Sequence, residues 1–462
     1  MFLANLFRKS NKTISDKDEI IKALRISPEA FEKFENSYQS FMSDKEGLEP
    51  NAKLAVARRD NTPNDVSVDD IVNRIVDELL AETIVLRFDG KTCHTETGLI
   101  NKPENPVTLD EIMALPENLR PQLTGTLVKK DMNENNGEML LSQYLKACDE
   151  TLKPQVRKEF YNLFRQGLDI LDLDWLMYEM IDTNVISMGH WLPQLVNAVI
   201  PEGFFKIPKT TIIKVPLPLL QLTRIEWETL TQTTLDIVNK YCMKAFELDP
   251  NGDYFIKTGT YSSKFDFRNA HVTTPKEVRE LGSYLVYIHY AALLKAGPLC
   301  QPCIYGISTT TEWVVRDFIK DPDNNLTIYH GLPLRTEYRA FVDFDTRTVL
   351  GITPYWDPDV MKKKFENCDN PDDMHDYVTY SMNEDILAER FNANKENVTR
   401  HLNSVIKTMS NIHGQWSIDI MQNGVDFYII DMATAARSAL KEKIDYNFGE
   451  PEENWIPEIT EK

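Results

Sequence analysis

The feature that most constrains the fold is a change of pattern near residue 185. Before it, apolar residues recur mainly at helical spacing, and a single short run, 83–88, has the pattern of a strand. After it, short β-branched runs such as 210–215 and 254–258 alternate with segments of helical periodicity. This alternation predicts an α+β architecture in the second part, preceded by a mainly helical N-terminal region.

The predicted organisation has four parts. They are a helical region at 1–185, a first α+β subdomain at 186–325, a second at 326–447 and an acidic tail at 448–462. The helices predicted after residue 185 lie at 226–246, 275–294 and 395–413. The strands predicted further along lie at 312–319, 335–344, 349–353, 417–422 and 427–432.

The charge balance restricts the partners. The chain has 51 Lys and Arg against 71 Asp and Glu, a formal net charge of −20. Nucleic-acid-binding proteins usually present a basic field to the phosphates, so a nucleic-acid partner is not expected. A local basic pocket for one small anion, such as a nucleotide, remains compatible with this charge.

The apolar runs and the cysteines indicate the compartment. The longest apolar candidate, 281–299, contains His289, Lys295 and Gly297, so it predicts a buried helix and no membrane partner. Six cysteines in a chain of 462 residues form no disulfide framework, and the pair Cys300 and Cys303 follows an apparent helix end. A reducing, cytoplasmic location is therefore predicted.

Familiar catalytic motifs are absent from the sequence. It has no Gly-x-x-x-x-Gly-Lys-Ser/Thr, Gly-x-Gly-x-x-Gly, His-Glu-x-x-His or Gly-x-Ser-x-Gly. The segment 87–91, Arg-Phe-Asp-Gly-Lys, resembles the nucleophile motif of nucleic-acid ligases, but Arg87 cannot lose its proton to attack a phosphate. An Asp-Gly hairpin turn explains this segment equally well, so modification of nucleic-acid ends is disfavoured.

Two lysines follow one predicted strand. Lys257 ends the strand at 254–258, and Lys264 lies in the polar loop after it. Two lysines about a loop's width apart can neutralise a polyphosphate without a glycine cradle. Solvated surface lysines are the alternative for both.

Two further strands could face a ligand. The strand at 312–319 could offer backbone groups to the edge of a base, although an ordinary buried strand has the same pattern. In the strand at 334–342, alternation places Arg335, Glu337 and Arg339 on one face. A face with three successive charges meets either water or a ligand.

The last two strands each contain one carboxylate, Asp419 and Asp431. Asp is disfavoured inside strands, and two of them close together need a partner, most simply a divalent cation such as Mg²⁺. A two-residue turn at 423–424 would place them on opposite faces, so a metal site requires a longer loop or an equivalent bulge. Otherwise they are solvated carboxylates at strand ends.

The order of these features resembles the ATP-grasp superfamily over 190–445. The segment 255–265 is similar to the paired lysines of a phage and bacterial clade named for one Arg and two Lys. The strands at 418–421 and 427–431 resemble the metal-binding hairpin of D-alanine–D-alanine ligases. A eukaryotic cell-division-cycle ATP-grasp protein that assists assembly of translation initiation factor two has a related layout.

The resemblance implies that ATP lies between two α+β subdomains. Lys257 and Lys264 would then contact its phosphates, and Arg339 would hold the γ-phosphate or an acyl-phosphate, with Arg339 and Lys264 as the catalytic residues. Asp317 and Phe318 occupy the position of the adenine-binding hinge and would offer backbone groups to adenine.

The same resemblance makes Asp419 and Asp431 the ligands of Mg²⁺. Most members of the superfamily join a carboxylate to an amine and release ADP and phosphate, so the resemblance implies such a ligase, acting on a small molecule or polypeptide. However, the family's last strand usually reads Glu-x-Asn, and here it reads Asp-Met-Ala at 431–433. An ATP-binding assembly factor, engaging a protein through the helical N-terminal region, is therefore the alternative.

Overall fold

The computed structural model describes residues 68–98, 184–223, 232–299, 310–365 and 371–449, with the single positions 178, 182 and 230. Most of the helical region predicted at 1–185, the Cys300–Cys303 pair and the tail from residue 450 onward lie outside this part. The domain boundaries therefore remain predictions. The architecture within the described ranges is mixed α+β, as the sequence predicted.

The first sheet has six strands in the order β2-β1-β4-β7-β5-β6, and every neighbouring pair is antiparallel. Strand β7 is apolar over Trp313, Val314 and Val315, and all three are buried, as expected for a central strand. The strands are β1 (Ile84–Phe88), β2 (Cys93–Glu96), β4 (Thr210–Lys214), β5 (Tyr254–Thr258), β6 (His271–Val272) and β7 (Glu312–Asp317).

The second sheet has five strands in the order β11-β10-β12-β13-β3. All its pairs are antiparallel except the short pair of β13 with β3. A small hairpin, β8 (Thr327–Ile328) and β9 (Leu332–Pro333), lies between β7 and β10 in the chain. The sheet strands are β3 (Phe205–Lys206), β10 (Glu337–Asp343), β11 (Thr348–Pro354), β12 (Gln415–Asn423) and β13 (Asp426–Thr434).

Helices pack against both sheets. In the described ranges they are α1 (Val68–Ala81), α2 (Met188–Glu202), α3 (Leu217–Leu222), α4 (Gln232–Ala245), α5 (Pro275–Arg279), α6 (Leu281–Leu299), α7 (Pro358–Phe365) and α8 (Pro371–Ile406). Helix α4 packs between α1 and α6, and α8 packs across β10 and β11. None of the helices in these ranges is long and apolar enough to cross a membrane.

One large apolar core joins the two sheets. It contains Trp191 of α2, Ile212 of β4, Tyr338 of β10, Leu402 of α8 and Ile418 of β12, all buried. Because this core takes side chains from both sheets, it fixes how the inner strands face each other.

Local patterns located several elements correctly. The strand predicted at 254–258 is β5, and the hairpin predicted at 335–344 and 349–353 is formed by β10 and β11. Two differences concern long-range pairing. Strands β1 and β2 join the first sheet, so that sheet extends across the boundary predicted at 185, whereas β3 pairs with the second sheet.

Candidate functional site

A cavity of about 250 Å³ opens where strands β5 and β7 of the first sheet face β10, β12 and β13 of the second. The seven residues singled out in the sequence for a nucleotide site all line it: Lys257, Lys264, Asp317, Phe318, Arg339, Asp419 and Asp431. They approach one another only through the fold, since they are spread over 175 positions of the sequence.

A β-bulge brings the two aspartates together. The turn between β12 and β13 is short, with Asn423 opposite Asp426, and such a turn alone would place Asp431 on the other face from Asp419. The register shifts by one residue at Ile430, so that Asp431 lies directly opposite Asp419. This is the equivalent bulge that the metal-site hypothesis required.

Asp419 is held by Arg339 of the neighbouring strand. Arg339 is the direct partner of Asp419 in the register of β10 and β12. Its Nε and Nη2 donate to Oδ1 and Oδ2, each over 2.8 Å, which is the bidentate arrangement of a strong pair. Burial acts to lower the pKa of Arg339, but the carboxylate of Asp419 outweighs burial and the pKa is raised.

Asp431 is paired with Lys257 from the opposite sheet. The Nζ of Lys257 donates to Oδ2 of Asp431 over 2.9 Å, and only 1 % of the surface of Lys257 is exposed. Burial lowers the pKa of Lys257 below 10.5, while the charge of Asp431 opposes that shift.

Lys264 lies between a carboxylate and an aromatic ring. Its Nζ is 3.5 Å from Oε2 of Glu337 and 3.8 Å from the ring centre of Tyr355. The same ring has the guanidinium carbon of Arg339 4.6 Å from its centre, so Tyr355 supports two of the cavity's cations. Burial opposes the charge of Lys264, yet Glu337 and Tyr355 raise its pKa above the ordinary value.

Arg316 of β7 secures the bulge from the first sheet. Its Nη1 donates to the carbonyl oxygen of Ile430, the bulged residue, over 2.6 Å. Its Nη2 is buried and has no hydrogen-bond partner among the residues that the structure describes. Burial lowers the pKa of Arg316 to about 10, against the opposing charge of Asp431. Because Arg316 lines the cavity, acceptor oxygens of a ligand or of water there would satisfy this donor.

The predicted hinge forms the apolar end of the cavity. The N–H of Asp317 donates to the carbonyl of Lys209 over 3.0 Å, and the N–H of Phe318 donates to that of Asp253 over 2.9 Å. These two donors are therefore engaged and are not offered to a base. The ring of Phe318 stacks on His271 at 3.9 Å between ring centres. Further apolar lining comes from Phe255, Phe267, Leu332 and Met421.

Asp419 and Asp431 can hold a metal ion only if a further ligand completes its coordination. Within the described ranges no three His, Cys, Asp or Glu side chains are grouped as a metal site. Asp419 and Asp431 supply two carboxylates, and each is already paired with a cation. Mg²⁺ is commonly held by one or two carboxylates together with substrate phosphates, so these residues suit Mg²⁺ only with a phosphate ligand present.

The cavity lining also includes charged and aromatic residues that were not predicted as site residues, among them Arg316, Arg335, Glu337 and Tyr355. The alternation in 334–342 did place Arg335 and Glu337 on the face of Arg339. Arg316 was detectable as a single cation within an apolar strand. No local pattern indicates Tyr355, whose role depends on residues distant in the sequence.

Known proteins offer little likeness to this chain. No family model matches it, and no curated protein matches it significantly. Among solved structures it is similar to Cdc123 from Schizosaccharomyces pombe, at 12 % identity and a TM-score of 0.31, over 56 % of this chain and 85 % of that chain. A C-terminally truncated Cdc123 from the same organism gives 12 % identity and a TM-score of 0.32, over 56 % and 86 %. Likeness of this size does not establish a shared family or activity.

Proposed function

We propose that the cavity between the two sheets binds an adenosine polyphosphate, with ATP as the physiological ligand. The observation that carries this proposal is the composition of the lining. Five cations and an aromatic end converge in one cavity of a chain whose net charge is −20. The cations are Lys257, Lys264, Arg316, Arg335 and Arg339.

The two ends of the cavity differ as the two ends of a nucleotide do. Arg335 lies at the hinge end, two residues before β10 begins, and its Nη2 donates to the carbonyl of Ile319. Arg339 lies four residues further along the chain, within β10. Between Arg339 and Lys257, phosphate oxygens would find charge-assisted donors from both sheets. At the other end, the face of the Phe318 ring that is not stacked on His271 would contact the base.

Mg²⁺ belongs to the same proposal. Asp419 and Asp431 would hold it, and when bound it would neutralise charge on the phosphates. Lys264 and Arg339 would stabilise charge at the terminal phosphoryl group, with Tyr355 positioning both cations.

Two activities follow from a bound nucleotide, and different observations favour them. The opposed carboxylates of Asp419 and Asp431 favour the carboxylate–amine ligase. An exposed apolar stripe on α8 favours the assembly factor, since such a surface suits a protein partner. The stripe consists of Met374, Val378, Met382 and Ile386, at intervals of four residues and between 46 and 70 % exposed. We favour the assembly factor because the last strand has Ala433 at the position where the ATP-grasp pattern has Asn.

Calorimetric titration with the ATP analogue AMP-PNP and Mg²⁺ tests the nucleotide proposal. We expect saturable binding by the wild-type protein and at least a tenfold loss of affinity in Lys257→Met. The matched control is Lys276→Met, because the side chain of Lys276 is 78 % exposed and lies outside the cavity. Absence of binding by the wild-type protein would refute the proposal.

Turnover separates the two activities. A ligase releases ADP and phosphate from ATP only when its acceptor is present, and Asp419→Asn abolishes that release. An assembly factor forms a stable complex with its partner in a pull-down, and Met382→Glu weakens the complex without changing affinity for AMP-PNP. Acceptor-dependent release of phosphate would exclude the assembly factor as the main activity.

A further inference from the structure

We propose that Arg339 and Lys257 withhold the two aspartates from metal ions, and that a polyphosphate releases Asp419 and Asp431 by taking over both cations. This inference rests on the proposed function, since it describes how the same cavity is controlled. As a consequence, bound nucleotide raises the affinity of the cavity for the metal ion, and bound metal raises its affinity for the nucleotide.

The geometry supports the withheld state. Asp419 has both oxygens bound by one guanidinium at 2.8 Å, and the two side chains are only 10 and 13 % exposed. Asp431 has one oxygen bound by Lys257 at 2.9 Å, and that lysine side chain is 2 % exposed. A metal ion entering alone must unseat a bidentate pair and leave a buried cation without a partner.

The bulge places the two ion pairs, Arg339 with Asp419 and Lys257 with Asp431, side by side. Because Ile430 shifts the register, Asp419 and Asp431 are direct cross-strand partners, whose side chains are neighbours on one face. Their cations come from different sheets, Arg339 from β10 and Lys257 from β5. An anion with several phosphates can therefore engage both cations at once, whereas a single phosphate group can engage only one fully.

Exchange of partners explains the coupling. When phosphate oxygens take the two cations, Asp419, 10 % exposed, and Asp431, 36 % exposed, are left without a counter-charge, which is unfavourable. A divalent cation between the carboxylates and the phosphates removes that cost. The coupling is reciprocal, because the factor by which nucleotide tightens metal binding equals the factor by which metal tightens nucleotide binding.

The first experiment titrates Mn²⁺ without nucleotide and follows free Mn²⁺ by electron paramagnetic resonance. Removal of a withholding cation should create a metal site, so Arg339→Gln and Lys257→Met should each bind Mn²⁺ at least tenfold more tightly than the wild-type protein. The double variant Arg339→Gln with Asp419→Asn is the matched control and should lose the gain. If one of the two single variants fails to fold, the other still tests the inference.

The second experiment measures AMP-PNP binding in EDTA, by calorimetry. Here Asp419→Asn should bind the analogue at least tenfold more tightly than the wild-type protein, because Arg339 no longer has a charged partner. With Mg²⁺ present, the gain should disappear or reverse. AMP should show a smaller gain than AMP-PNP.

The outcomes distinguish this inference from the proposed function. Equal Mn²⁺ affinity in the wild-type protein and both single variants overturns the withholding of the aspartates, even if AMP-PNP binds well. No gain of metal-free affinity in Asp419→Asn overturns the release step. A wild-type protein that binds no AMP-PNP in Mg²⁺ overturns the proposed function, whereas a gain in Mn²⁺ affinity would still support the withheld state.

Discussion

Lys257 shows how the fold changes the chemistry of a single residue. From the sequence it is a lysine at the end of a strand, with a surface position as one alternative. In the structure it is almost wholly buried, and its ammonium group is paired with Asp431, 174 residues further along the chain. Burial without that pair would favour the neutral amine, so the pair keeps a cation available inside the cavity.

Nucleotide affinity should depend on pH through this residue. Because burial lowers the pKa of Lys257 below 10.5, its charge is lost at a lower pH than that of an exposed lysine, and affinity for AMP-PNP should fall as pH rises through the alkaline range. In Lys257→Arg the cation persists, so the fall should move to higher pH. Titrations at half-unit pH intervals measure the shift. Identical profiles for the two proteins would show that Lys257 does not contribute its charge to binding.

Arg316 should contribute to stability as well as to binding. Replacement by Met leaves the carbonyl of Ile430 without its donor, which should lower the free energy of unfolding by about 1–3 kcal/mol. It also removes one cation from the cavity. Urea unfolding measures the first effect, with Arg268→Met as the control because that side chain is 66 % exposed. Equal losses in the two variants would contradict the role assigned to Arg316.

At the scale of elements, the hairpin of β12 and β13 decides whether the site exists. Both strands were predictable because their apolar runs are local, and the turn between them contains Gly424 at a positive φ of 60°. The bulge was not predictable, since an extra residue at Ile430 is defined only by pairing with β12 and by the donor from β7.

Helix α8 shows another limit of local patterns. It spans Pro371–Ile406, whereas apolar periodicity predicted a helix at 395–413. Its first half carries apolar residues on two sides: Tyr380 and Leu387 are buried, while Met374, Val378, Met382 and Ile386 are exposed. A single amphipathic period is therefore obscured there.

Two substitutions on α8 should have opposite consequences. Met382→Glu should change the free energy of unfolding by no more than about 0.5 kcal/mol, because that side chain is 70 % exposed. Leu387→Ala should lower it by about 2–5 kcal/mol, because Leu387 is buried in the core with Tyr380 and Trp356. Urea unfolding of both variants provides the measurement. A large loss in Met382→Glu would indicate that the stripe is covered within the folded chain.

At the scale of the whole molecule, charge separates the cavity from the surface. The chain has a net charge of −20, yet the cavity lining has five Lys and Arg against four Asp and Glu. An acidic exterior repels a long polyanion, while a small nucleotide needs only the local donors.

Competition with nucleic acid tests this separation. A long single-stranded DNA should not displace AMP-PNP, and an increase of salt from about 50 to 200 mM should weaken AMP-PNP binding only modestly. A protein that reads many phosphates would lose about 10³–10⁵-fold in affinity over that range. Displacement monitored by fluorescence of a labelled DNA gives the readout. Tight, strongly salt-dependent DNA binding would contradict the prediction, made from the net charge, that nucleic acid is not a partner.

The sequence by itself determined the residue types, the strands that carry them and the face on which Arg335, Glu337 and Arg339 lie. These are local properties, since side-chain direction alternates along any strand. Only the tertiary structure decided how the two sheets pack against each other, the bulge at Ile430 and the partners of Asp419 and Asp431. Such contacts join residues as far apart as Lys257 and Asp431, and their formation depends on the packing of a core shared by both sheets.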